Sequence, residues 1–125
     1  MTNYPVGDFL IRVKNAAMAK NKEVSFWGIK RVISVAEAMK KLGYFDGVKT
    51  EKQKLTVSLS FKSKKPLLMD IKLISKPGLR VYMSTSEIEK KKGPSVYLVS
   101  TPKGVISSRQ AVKERMGGEV IAEVW

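Results

Sequence analysis

The sequence contains no cysteine and no histidine. The first absence removes any disulfide framework and any thiolate metal ligand, and the second removes the commonest general base and zinc ligand. Long hydrophobic runs are missing too. None approaches the ~18 apolar residues that a membrane span requires, and Met1-Thr2-Asn3-Tyr4-Pro5, with Asp8 and Arg12 close behind, is neither a basic nor an apolar leader. The reading is therefore a cytosolic protein with no membrane partner. Acidic residues are also scarce, at 11 Asp+Glu against 24 Lys+Arg in 125 residues, which leaves a formal net charge of +13. Such an excess calls for a polyanionic partner, nucleic acid first, with an anionic membrane surface or an acidic protein as lesser alternatives.

Low charge of one sign also bears on catalysis. The carboxylates are scattered, with no pair at helical spacing within a predicted helix, and a Ser-His triad is impossible, although a Ser-Lys arrangement stays open. No enzyme activity, metal or cofactor is expected. Pro102-Lys103-Gly104 and Met116-Gly117-Gly118 match neither a P-loop nor a dinucleotide fingerprint. A polar hairpin tip and an anion-binding loop fit the first of these equally well, since glycine admits close approach of main-chain N–H groups and Ser100, Thr101 and Lys103 add donors.

What is present is regular structure. Val6, Phe9, Leu10, Val13, Ala16 and Ala17 recur at i, i+3, i+4, i+7 spacing, which predicts a helix with Arg12, Lys14 and Asn15 off its apolar stripe. Ile29, Val32, Ile33, Ala36 and Met39 predict a second helix, stopped by Gly43. Tyr44 to Val48 reads as a short strand, and Leu55 to Phe61 alternates apolar and small polar residues, a strand with one core face and one wet face. Leu67 to Ile74 and Leu79 to Tyr82 read as partner strands joined by a Lys76-Pro77-Gly78 turn. Ser86 to Pro94 suggests one or two helical turns, Val96 to Val99 a strand, Ser107 to Gln110 a capping box, and Glu119 to Trp125 a final strand. The class is α+β, with an N-terminal helix-helix-strand lobe at 1–64 and a mainly β C-terminal lobe with short helices at 65–125, divided at the basic, proline-bearing stretch 62–66.

The charge is concentrated in Lys62/Lys64/Lys65 and Lys90/Lys91/Lys92. Such clusters neutralise phosphates without reading sequence. Among the aromatics Tyr4, Phe26, Trp27, Tyr82, Tyr97 and Trp125 are candidate stacking platforms, Tyr82 foremost because it follows the basic turn.

Three stretches carry a resemblance: Asp8 to Ala16 (DFLIRVKNA), Ser75 to Tyr82 (SKPGLRVY), and Ser100 to Val105 (STPKGV) with Gly117 to Ala122 (GGEVIA) and terminal Trp125. In order and spacing they resemble the bacterial type of small-subunit ribosomal protein number eight across nearly the whole chain. The resemblance implies an α/β lobe followed by a mainly β lobe. It also implies a structural constituent of the small ribosomal subunit that binds the central domain of the small-subunit ribosomal RNA directly, helps assemble the platform, adjoins other small-subunit ribosomal proteins and works in the cytoplasm or an organelle. By the same resemblance Ser100, Thr101, Lys103, Gly104, Gly118 and Glu119 meet an irregular RNA helix, with Tyr82 beside them, while Arg12, Asn15 and Lys30 contact RNA backbone from the N-terminal lobe. Glu119 there accepts from a base amino group or orients the loop. The alternative function is a translational repressor that binds its own messenger. Two departures stand out: Pro102 replaces a serine of the family loop, and Ser25-Phe26-Trp27-Gly28 replaces a Pro-x-Ser-Lys segment, with Phe26 and Trp27 read as local core in preference to a face towards a neighbouring ribosomal protein.

Overall fold

The structure, a computed structural model, describes residues 4–91 and 93–125. Lys92, one of the clustered lysines, lies outside the described residues. The first helix, α1 (Pro5–Met18), starts with proline in its first turn, where no N–H is needed, and carries Asp8 near the positive end of its dipole. Its buried stripe holds Phe9, Leu10 and Val13, all fully covered. The periodicity therefore located this helix to within a residue.

Between the two helices lies a strand that the sequence reading did not anticipate, β1 (Glu23–Trp27). Val24 and Phe26 point inward while Glu23, Ser25 and Trp27 point outward. Phe26 thus joins the core as expected, but Trp27 does not: its outward register leaves it 51% exposed. The next helix, α2 (Lys30–Lys41), places Lys40 and Lys41 at its negative dipole end and stops at Gly43, whose φ of +92° suits the left-handed turn after a helix. Strands β2 (Phe45–Glu51) and β3 (Lys54–Leu59) complete an antiparallel sheet in the order β1-β3-β2. Because β3 is central, its core face is Leu55, Val57 and Leu59, and its hydroxyl face, Thr56 and Ser58, is only half wet.

The stretch 62–66 forms a tight hairpin, β4 (Phe61–Lys62) paired with β5 (Lys65–Pro66) around Ser63 and Lys64, both at positive φ. Two successive positive-φ residues match the handedness of a two-residue hairpin turn. Beyond it come β6 (Ile71–Leu73), β7 (Tyr82–Met83), α3 (Thr85–Glu89), β8 (Val96–Thr101), β9 (Gly104–Ser107), α4 (Ser108–Lys113) and β10 (Gly118–Val124). The sheet order is β6-β10-β8-β9, with β7 also on β10.

One expectation is corrected here. The Lys76-Pro77-Gly78 turn forms, with Lys76 and Leu79 bonding each other's backbone at 3.0 and 2.9 Å, but the segments flanking it do not pair as a hairpin. Both align on β10 instead, β6 along Ala122–Val124 and β7 along Gly118–Glu119. Buried Ser75 diverts the chain: its hydroxyl donates to the Val120 carbonyl at 2.8 Å and accepts from the Val81 N–H at 2.9 Å, so backbone groups near the turn are satisfied without a ladder. The apolar strand β10 wins the central place because Val120, Ile121, Ala122 and Val124 are all fully buried there.

Helix α3 begins earlier and ends sooner than expected, set by Ser84, which forms a full capping box with Glu87. At α4 the Ser107 hydroxyl accepts from the Gln110 N–H, but Gln110 turns its amide to Glu114 instead of closing the box. A single apolar core runs from Phe9, Leu10 and Val35 to Leu98, Ile121 and Val124, so both sheets bury their inner faces against the same helices. Ile88, Val99 and Ala111 form a small satellite core under α3 and α4.

Candidate RNA interface

The final strand enters the sheet through two glycines. A Cβ added at Gly118 would lie 2.1 Å from the Ser100 carbonyl oxygen, and one at Gly117 2.6 Å from the Met83 oxygen. No side chain fits either position, so β10 can press against β8 and β7 only with this pair. The close approach sets a row across three strands: Glu119 is the cross-strand neighbour of both Ser100 on β8 and Tyr82 on β7. Cross-strand neighbours share a sheet face. The row thus gathers three residues that are 18 and 19 positions apart in sequence.

Within the row, burial differs sharply. Tyr82 is 68% exposed and Glu119 only 7% exposed, with Ser100 between them. The Glu119 carboxylate receives Arg31 Nη2 at 2.7 Å on one oxygen and Arg80 Nη1 at 3.2 Å on the other. Arg80 in turn lies over the buried Tyr4 ring, 4.9 Å from its centroid. Burial raises the Glu119 pKa, but the hydrogen bonds and charges of the two arginines overcome it and hold the carboxyl below the ordinary range. One carboxylate therefore clasps α2, the 76–80 turn and the root of β10. Burial, with Glu119 nearby, also pushes the Tyr4 phenol upward, against the pull of Arg80 and Arg31.

The row continues into the β8–β9 hairpin. Thr101 Oγ1 donates to the Gly104 carbonyl at 2.8 Å and accepts from the Lys103 N–H at 3.2 Å, closing the tip around Pro102 and Lys103. Gly104 has φ +109° and faces Ser34 of α2, whose hydroxyl accepts from the Val105 N–H at 2.9 Å. Lys103 is exposed and ion-paired with Glu114 at 3.2 Å. The loop is thus an anchored tip whose outward groups are a lysine, a proline and a half-buried serine.

Not every expected site residue belongs to this face. Lys30 immediately precedes Arg31 and is exposed at the start of α2, so it adjoins the clasp through its neighbour. Arg12 and Asn15 lie together on the exposed side of α1; Arg12 donates to the Ser25 carbonyl at 3.2 Å and covers the Phe26 ring at 5.2 Å. They form a second basic and polar group beside β1. Arg31, Arg80 and Ser34, which position the first group, carried no spacing signal, because the Arg31–Glu119 and Ser34–Val105 contacts join residues 88 and 71 positions apart. Of the candidate stacking rings, Tyr4 and Phe26 are buried, Tyr97 and Trp125 half-buried, and Tyr82 and Trp27 exposed. Lys62, Lys64, Lys65, Lys90 and Lys91 are all exposed.

Comparison with known proteins adds the identity of the family. Residues 4–125 match the family described as ribosomal protein S8. A small ribosomal subunit protein uS8 of Nitratidesulfovibrio vulgaris is 37% identical over the whole of both chains. The proteins of that name from Mycoplasmopsis pulmonis and Mesomycoplasma hyopneumoniae are 38% and 39% identical, each over 97% of this chain and 96% and 95% of theirs. With the match extending from before α1 through β10 and no residue of either sheet left outside it, the chain belongs to the ribosomal protein S8 family.

Proposed function

We propose that this chain is a structural, non-enzymatic constituent of the small ribosomal subunit that binds the central domain of its RNA directly and helps assemble the platform, in a cytoplasmic ribosome. The observation that carries the reading is the anchored row of Tyr82, Glu119 and Ser100 continuing into the Thr101–Gly104 tip. A surface held this rigidly meets an irregular RNA helix without first losing side-chain freedom. Tyr82 offers a ring for an unpaired base, Ser100 and Lys103 offer donors, and Gly118 and Gly104 let β10 and the tip pack closely on Ser100 and Ser34, which sets where those groups stand. Glu119, with both oxygens on arginines, acts as the residue that orients the face.

In the same reading residues 65–125 recognise RNA shape and bases, while residues 1–64 hold backbone phosphates through Arg12, Asn15 and Lys30. Neighbouring ribosomal proteins complete the surroundings. A messenger presenting the same irregular helix would meet the same face, so its competition with ribosomal RNA reports on the repressor alternative. The test is binding of the purified protein to a central-domain RNA fragment across a salt series, with random duplex RNA of equal length as competitor. The fragment is expected to win by orders of magnitude at physiological salt; equal binding that fades together with salt would leave only the effect of the +13 charge.

A further inference from the structure

The recognition face leaves one exposed aromatic unused. Trp27 ends β1 half-exposed, and with Gly28, Ile29 and Gln53 it lines an open groove of about 460 Å³. The indole is fixed rather than loose, since it meets the buried Phe26 ring edge-on at 5.0 Å and 73°. The groove floor is fixed as well: the Gly28 N–H donates to the Gln53 carbonyl at 2.8 Å, and a Cβ at Gly28 would come 3.2 Å from the Gln53 carbonyl carbon. The surrounding charge is positive. Lys54 is the cross-strand neighbour of Trp27, Lys52 and Lys54 flank Gln53, and Lys30 follows Ile29, all exposed. One acid adjoins them: Glu51 is the cross-strand neighbour of Lys54 on its other side and lies 4.0 Å from Lys49, so the lysines still outnumber it.

We infer that this groove is a second RNA contact, in which an unpaired base stacks on Trp27 while Lys30, Lys52 and Lys54 neutralise the flanking phosphates. The inference rests on the RNA-binding reading above and adds to it a site on the other sheet. An aromatic face framed by cations is what a single strand needs, since every base has a π-face and every linkage a negative charge. The same lysines oppose a basic protein partner. The groove is open to solvent, as a platform for a stacked base must be.

The experiment uses the Trp125→Phe chain, in which Trp27 is the remaining tryptophan of the two. A six-nucleotide oligoadenylate is expected to quench its fluorescence, and random duplex RNA to leave it unchanged. In the native background Trp27→Ala should weaken oligoadenylate binding about tenfold, Trp27→Phe should restore most of it, and Lys52→Ala should weaken it with a lower salt dependence. Absence of quenching, or equal oligoadenylate affinity for Trp27→Ala and the native chain, would overturn the site. If those variants still select the central-domain fragment over random duplex, the stacking site falls alone; if the native chain does not select it, both readings fall. Trp27→Phe keeps a ring against Phe26, so its behaviour separates stacking from folding.

Discussion

Two hairpins of this molecule carry lysines at their tips, yet they are built to different standards. At the β4–β5 hairpin Ser63 and Lys64 turn the chain at positive φ, and Lys62, Lys64 and Lys65 project freely into solvent. At the β8–β9 hairpin the Thr101 hydroxyl closes the tip, Ser34 holds the Val105 N–H, and the strand beside it is pinned by the Arg31–Glu119–Arg80 clasp. The first can attract any phosphate. The second presents donors at fixed positions, and fixed donors are what distinguish one RNA shape from another. On the proposed function charge count and recognition are separable in this chain, and substitutions should pull them apart.

The largest effect is expected at Gly118. Gly118→Ala puts a methyl 2.1 Å from backbone, so β10 must leave β8, and the loss should exceed ~3 kcal/mol in urea unfolding, with selective RNA binding lost alongside. Gly47→Ala, in β2 with nothing within 4 Å of the added carbon, should change stability by less than about 0.5 kcal/mol.

Glu119→Gln comes next. It leaves two guanidiniums without their counter-charge; because both arginines are near 40% exposed at the side chain, about 1–3 kcal/mol is expected rather than the full cost of a buried pair. The pH dependence has a definite sign. The Glu119 pKa is depressed in the folded state, so its contribution is complete above the unfolded value of about 4.3 and is lost as pH falls through the lower folded value. Unfolding between about pH 6 and 3 should show less acid loss in Glu119→Gln than in the native chain. Asp70, Glu87 and Glu114, also depressed, titrate alike in both proteins and cancel in the difference.

Smaller still, Thr101→Val removes the bonds to Gly104 and Lys103. About 1 kcal/mol of stability should go, with a larger relative loss of binding to the central-domain fragment than to random duplex. Lys64→Ala should have the least effect, lowering the salt slope by roughly 0.7 to 0.9 and weakening both RNAs about equally, as read from binding isotherms at several salt concentrations.

Much of this architecture was legible because its signals are local. Both long helices follow from apolar spacing, β3 from alternation, and the turn at Gly78 from Pro-Gly chemistry. Strand β1 escaped notice because five residues between two helical patterns give little periodicity, and its identity depends on pairing with β3 some thirty residues later. The partners of β6 and β7 were misassigned for the same reason: the nearest strand in sequence was available, but β10 offers a longer buried edge, about fifty residues on from β6 and about thirty-six on from β7. Trp27 read as core because it is large and apolar, whereas alternation with Phe26 decides its face. The proposed site residues Ser100, Thr101, Lys103, Gly104, Gly118 and Glu119 came from a motif, and their spacing held no trace of the arginines that fix Glu119.

Selectivity itself is the most direct test. The ratio of affinities for the central-domain fragment and for random duplex RNA, at physiological salt, should be measured for the native chain, for Ser100→Ala, and for the chain with Lys62, Lys64 and Lys65 all replaced by alanine. The ratio is expected to fall in Ser100→Ala and to hold in the lysine variant even as both affinities drop. A ratio that holds in Ser100→Ala, or that falls equally in the two, would contradict the separation of anchored recognition from free charge.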